Sequence, residues 1–194
     1  MQDKILRKYI AKSHAGNVFS DSELKAIRQG DTEELVDTFL DLNNDYYKTQ
    51  VQCTLKSLGL FMDSDLELDN VVYENGYKGQ FVGCQIMDGD IDVFLGVAGD
   101  NVQLLKVASA YAQEELEEFD ADAYDALCEL INVINGAYAT KLGDKNIEVT
   151  LHPPVFYKNI QVEAEKGFYI MSFKMSDNGF KVIMAADDKI KLIA

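Results

Sequence analysis

Apolar residues recur at helical spacing over residues 31–58. Leu35, Phe39, Leu42, Tyr46 and Val51 form one stripe, Asp31 stands ready as a cap, and Gly59 offers a stop. The pattern therefore predicts one long helix there. From Asn70 the period shortens to two, with strands expected at Val71–Tyr73 and Lys78–Met87, a turn at Asp88-Gly89, and a strand from Ile91 to Gly99. Asn101 is placed to cap a helix to about Leu116, with Leu105, Ala108 and Ala112 turned inward. A second long helix covers 125–142. Beyond Gly143 the pattern predicts a short strand at Ile147–Leu151, ended by Pro153-Pro154. Three more strands are expected at Ile160–Ala164, Phe168–Met175 and Phe180–Ala186, the last two joined by a turn at Asp177-Asn178-Gly179.

The first 30 residues read as a separate piece. A short basic helix is expected over 1–12, a turn at Ser13–Asn17, and a second helix capped by Ser20-Asp21-Ser22 and ending near Gly30. This piece could pack as an extra helical layer, dock a partner, or cover part of the domain that follows.

The helix at 125–142 carries the chain's most informative pattern. At about 100° per residue, Asp125, Glu129, Asn132 and Gly136 fall within roughly 60° of one another. Leu127, Leu130, Ile131, Ile134 and Tyr138 take the opposite face. One side of the helix is thus built to bury, and the other lines up an acid, an amide and a bare glycine. A glycine in mid-helix costs about 1 kcal/mol against alanine. That cost has a purpose if another molecule's backbone must come close. Asn132 is likewise a mediocre helix former without a capping role. Without such a visitor, the same residues would be an ordinary solvated helix face.

The spacing Asp125-x3-Glu129-x2-Asn132-x3-Gly136-x5-Leu142 resembles the signature of the CheC/CheX/FliY family of chemotaxis phosphatases, and its one-motif CheX-like branch most of all. The order of elements over residues 32–194 is similar too. The resemblance implies an α+β, CheC-like fold: a largely antiparallel sheet with two long helices packed on one face, here with an N-terminal helical extension. It divides the chain into an extension, 1–30, and a CheX-like phosphatase domain, 31–194. It implies hydrolysis of the aspartyl phosphate of a CheY-type response regulator. Asn132 would orient the attacking water, Glu129 would pair with a receiver lysine, Asp125 would add an anchoring contact, and Gly136 would permit close approach. The protein would need no cofactor of its own, since the partner response regulator binds the Mg2+. A homodimer is implied as well. Family members with two active sites repeat the Glu-x-x-Asn pair on the first long helix. Here only Asp41-x-x-Asn44 comes near it, so one site per chain is expected. The alternative is a catalytically silent CheC-like module that binds a receiver domain or flagellar switch component.

Composition narrows the remaining classes. The 194 residues are 47% hydrophobic and carry a net charge of -15, which speaks against a nucleic-acid partner. Residues 71–145 hold 4 basic and 14 acidic side chains, a field that would draw a partner with a basic face. No apolar run approaches the roughly 18 residues of a membrane span, and no apolar segment follows the basic N-terminus as in a secretory leader. Cys53, Cys84 and Cys128 are odd in number and scattered, which reads as reduced thiols and a cytoplasmic protein.

Other chemistry is poorly supported. Asp88, Asp90 and Asp92 begin like a calcium loop, but Val93 and Gly99 occupy the positions where glycine and a bidentate glutamate belong. His14 and His152 have no partner at zinc-ligand spacing, and no metal site is expected. Cys128 lacks a histidine neighbour and sits beside Glu129, so a packed thiol is expected rather than a nucleophile.

Overall fold

In the computed structural model, which describes residues 3–62, 65–175 and 178–193, five of six helices begin where a short polar side chain accepts a backbone N–H. The N-terminal helices α1 (Lys4–Ser13) and α2 (Asp21–Gln29) form as the pattern predicts. Ser20 and Glu23 close a reciprocal capping box on α2. Next come α3 (Thr32–Phe39) and α4 (Asp45–Phe61).

The single helix expected over 31–58 is therefore two. Asn44 explains the break: its side chain accepts from the Tyr47 N–H at 3.1 Å and starts a new helix. In the gap, the Asn43 N–H donates to Tyr169 Oη at 3.0 Å. Nor does Gly59 stop α4, which runs two residues further. Asn44, the residue nearest to a second motif, is thus a cap.

The strands are longer than predicted. β1 (Leu66–Gly89) merges two expected strands, and β4 (Val155–Met175) merges another two. They pair antiparallel along most of their length, with register shifts at Leu68/Asn70 and Glu74/Gly76. Such bulges let a long ribbon bend without breaking. β2 (Val93–Gly99) pairs with β1 and with β5 (Asn178–Ala186), and β5 returns to β4. The four strands thus close a circuit. The connection at Asp88-Gly89 is wider than a two-residue turn, since Met87 pairs with Val93. β3 (Val149–Leu151) and β6 (Ile190–Ile193) add the edges. β6 was not expected; its four residues are too short a pattern to read. Asp177, in the last predicted turn, lies outside the described residues, and Asn178 and Gly179 begin β5.

Between β2 and β3 lie α5 (Asn101–Ala112) and α6 (Ala121–Gly143). Asp100, not Asn101, caps α5, because Gln103 returns a bond to the Asp100 N–H. The helix ends four residues before Leu116, with Gln113 left-handed. Leu104, Val107 and Ala108 are buried, whereas Ala112 is exposed.

Alternation along the strands builds two cores. Leu95, Val97, Met171, Phe173, Val182 and Met184 face the helices. Phe94, Ala98, Ile160, Val162, Ile170 and Ile183 turn inward within the closed circuit. The fold is α+β, with an antiparallel sheet and its long helices α4 and α6 on one face.

The N-terminal helices belong to the helix-side core through Ile5, Leu6, Ile10 and Ala26. Asp69 Oδ1 on β1 accepts from Lys12 Nζ at 2.7 Å and from Lys174 Nζ at 2.8 Å. These hydrogen bonds pull the Asp69 carboxyl down to about 2. A carboxyl depressed by folding stabilises the folded state above its ordinary range, near 3.9, and loses that effect as pH falls toward the folded value. The melting-temperature gap between wild type and Asp69→Asn is therefore expected near pH 6 and gone by about pH 2. Thermal unfolding followed by circular dichroism checks it.

Candidate functional site

Helix α6 lies across β1, and the sequence reason is its apolar face: Leu127, Leu130, Ile131, Ile134 and Tyr138 are all fully buried. Leu142, the last residue of the motif, packs with Cys53, Met87, Ile91, Val93 and Tyr138 and fixes the C-terminal end. The Tyr138 hydroxyl donates to the Tyr46 carbonyl at 3.1 Å. With that face held, the opposite stripe points outward. Asp125 and Glu129 are exposed, and Asn132 and Gly136 are half-buried. The structure thus brings all four residues to one side of one helix, as the spacing predicts.

Asn132 and Glu129 meet directly: Asn132 Nδ2 donates to Glu129 Oε2 at 3.3 Å. At Gly136 an added Cβ would meet no atom within 4 Å. Nothing inside the protein demands a glycine there. Its Cα is simply left bare, beside the amide and the acid.

The site also contains residues that periodicity did not single out. Gln85 of β1 is 2% exposed and Asn135 of α6 is 0% exposed. Asn135 Nδ2 donates to Gln85 Oε1 at 2.9 Å, and Gln85 Nε2 donates to Asn132 Oδ1 at 2.7 Å. Gln85 Nε2 also donates to the His152 carbonyl at 2.7 Å. The sequence signal was present but faint: two amides among apolar neighbours, in CQIM and INVIN. The His152 ring joins a different contact, with Nε2 3.0 Å from Asp88 Oδ2.

Charge on this face is negative. Burial first, then the Asp125 and Glu129 carboxylates, push the Cys128 thiol up. This agrees with a packed thiol rather than a nucleophile. Helix α5 packs against α6, and burial and then Glu129 also raise the Tyr111 phenol. Among the described residues, no group of three or more His, Cys, Asp or Glu could hold a metal ion. A cavity of about 540 Å³ lined by Asp69, Tyr77, Lys174 and Lys181, among others, includes no motif residue. The motif forms an outward face suited to a docking macromolecule rather than a cleft for a small one.

Comparison with known proteins gives this geometry a context. The model of a family described as chemotaxis phosphatase CheX matches residues 81–175, which contain the whole motif. This part of the chain is CheX-like. Solved structures agree in fold. A CheC-like superfamily protein from Shewanella sp. PV-4 superposes with TM-score 0.63 at 20% identity, covering 75% of this chain and 99% of that one. The chemotaxis protein CheX from Desulfovibrio desulfuricans gives 0.61 at 17%, covering 74% and 99%. The CheX of a CheX-CheY-BeF3-Mg2+ complex from Borrelia burgdorferi gives 0.58 at 22%, covering 73% and 97%. No curated protein matches the chain. The CheX-like branch of the CheC/CheX/FliY family is thus supported by the family match, and its CheC-like fold by the superpositions. Among the described residues, no helix is long and apolar enough to cross a membrane.

Proposed function

We propose that this protein hydrolyses the aspartyl phosphate of a CheY-type response regulator, using the Glu129/Asn132 face of α6. The observation that carries the reading is the exposed acid and half-buried amide in hydrogen-bond contact beside a glycine whose Cβ position is open. The CheX-CheY-BeF3-Mg2+ complex of the Borrelia burgdorferi relative supports a CheY-type partner that arrives with its own Mg2+.

The chemistry asks little of the phosphatase. An acyl phosphate is already activated, and phosphoryl transfer depends mainly on positioning and charge stabilisation. Asn132 enters the receiver's site and holds a water in line with the leaving carboxylate. The water oxygen bonds to phosphorus, the P–O bond to the aspartate breaks, and the water's proton leaves on the phosphate. Glu129 pairs with a receiver lysine, Asp125 adds an outer contact, and Gly136 lets the receiver's backbone approach. Residues 1–30 are an added helical layer on the 31–194 domain. Homodimerisation through the sheet edges, β3 or β6, and a cytoplasmic location belong to the same proposal.

Gly136→Ala separates the two purposes a glycine could serve. Inside the protein the new methyl meets nothing, so the helix should gain stability by up to about 1 kcal/mol. Receiver binding should weaken. Thermal melts and a binding titration check both, and unchanged affinity would remove Gly136 from the docking face. The reading as a whole is tested by rate against pH. With no histidine in the transfer, turnover of phosphorylated receiver should stay flat near neutrality. A steep loss with an apparent pKa near 6 to 7, where an unperturbed histidine titrates, would contradict it.

A further inference from the structure

We infer that Gln85 is a positioning residue for Asn132, fixing its amide so that the N–H side, not the carbonyl, faces the docked receiver. This inference rests on the phosphatase reading and adds a direction to it.

The direction follows from what each group can do. A backbone carbonyl only accepts, so the His152 carbonyl at 2.7 Å requires the nitrogen of Gln85 to point toward it. That leaves Gln85 Oε1 as the acceptor facing Asn135, whose Nδ2 donates at 2.9 Å. The second N–H of Gln85 then goes to Asn132, which must turn its oxygen inward, 2.7 Å away. A carboxylate also only accepts, so Glu129 takes one N–H of Asn132 from the other side. The bonds therefore run one way from Asn135 to Glu129, with an obligate acceptor at the His152 branch and another at the end. Gln85 has used both donors and Oε1 has a donor, so a flip would set like against like at several contacts. Asn132 keeps one N–H for what docks.

Burial adds weight to this arrangement. Gln85 and Asn135 stand at 2% and 0% exposure in the apolar contact between β1 and α6. Amides placed there are costly unless hydrogen-bonded. A leucine would pack α6 on the sheet without that demand, but it would leave the Asn132 amide free to turn over. With the amide fixed, the water accepts a hydrogen bond from Asn132 Nδ2 and turns another lone pair toward phosphorus.

Gln85→Met keeps the length and removes both donors. Hydrolysis of phosphorylated receiver by wild type, Asn132→Ala, Gln85→Met and the double variant tests the inference. Gln85→Met should lower kcat by roughly tenfold to a hundredfold, the range seen when an outer partner of a site residue is lost. KM should be unchanged, and there should be no further loss in the Asn132→Ala background. If wild type is active and Asn132→Ala is not, yet Gln85→Met keeps its kcat, the inference fails while the phosphatase reading stands. If wild type itself is inactive, the phosphatase reading fails, and side-chain 15N relaxation on wild type decides the amide's state alone. The same measurement decides if Gln85→Met does not fold. The Asn132 Nδ2 group should then be as ordered as the α6 backbone; motion like that of exposed Asn17 would overturn the inference.

Discussion

Asn132→Ala is expected to remove most of the acceleration of receiver dephosphorylation while leaving receiver binding nearly intact. The loss should be roughly 10²–10³-fold, the usual consequence of deleting one oriented hydrogen-bonding group from a reacting site. The reason lies in how little else the face offers. Glu129 is exposed, Asp125 is exposed, and the neighbouring Cys128 thiol is pushed up by burial and by both carboxylates. Only the amide combines a fixed orientation with an outward N–H. Truncation leaves one Gln85 donor without its acceptor, a cost of about 1–3 kcal/mol in stability. The fold should survive, because Gln85 keeps its bonds to His152 and Asn135. Phosphate release measured at saturating variant, beside a thermal melt, checks both parts.

Glu129→Ala should produce the opposite split. Its carboxylate is the charged group adjoining the amide, so its loss should weaken docking more than it slows the bound complex. Removing one partner of a desolvated, hydrogen-bonded charge pair costs about 2–5 kcal/mol. At the lower bound this is roughly a 30-fold rise in the concentration needed for half-maximal rate. Glu129→Lys should be worse, because it places a cation against the receiver's lysine. Asp125→Ala should matter less, since Asp125 stands about two turns away from Asn132 on the stripe. Rate against concentration, repeated at two salt levels, separates affinity from turnover; a large fall in the saturated rate with unchanged affinity would reverse the assigned roles.

The candidate site's geometry was largely legible in the sequence because one helix carries it. A period of 3.6 residues puts Asp125, Glu129, Asn132 and Gly136 on one stripe whatever the rest of the chain does, and the buried stripe of Leu127, Leu130, Ile134 and Tyr138 sets which way it points. Gln85 escaped because its partner is 47 positions away and its own strand reads simply as buried. No local period can announce a contact of that kind. The fold was legible in class and order but not in continuity. Residues 31–58 show an unbroken apolar stripe, and only the Asn44 cap divides them. The two long strands read as four because polar residues interrupt the alternation near Asn75 and Lys166, where the ribbon bends and runs exposed. The sequence offers both Asp100 and Asn101 as the α5 cap, since both are good capping residues, and only the reciprocal bond from Gln103 decides for Asp100.

The proposed role of the α6 face is to shorten the life of an acyl phosphate. The most direct measurement is the lifetime of a phosphorylated CheY-type receiver, with Mg2+, in the presence of increasing amounts of the full chain. The lifetime should fall with added protein, inorganic phosphate should appear in step, and each protein molecule should turn over many receivers. Saturable binding with an unchanged lifetime would contradict that role and leave the α6 face as a docking surface alone.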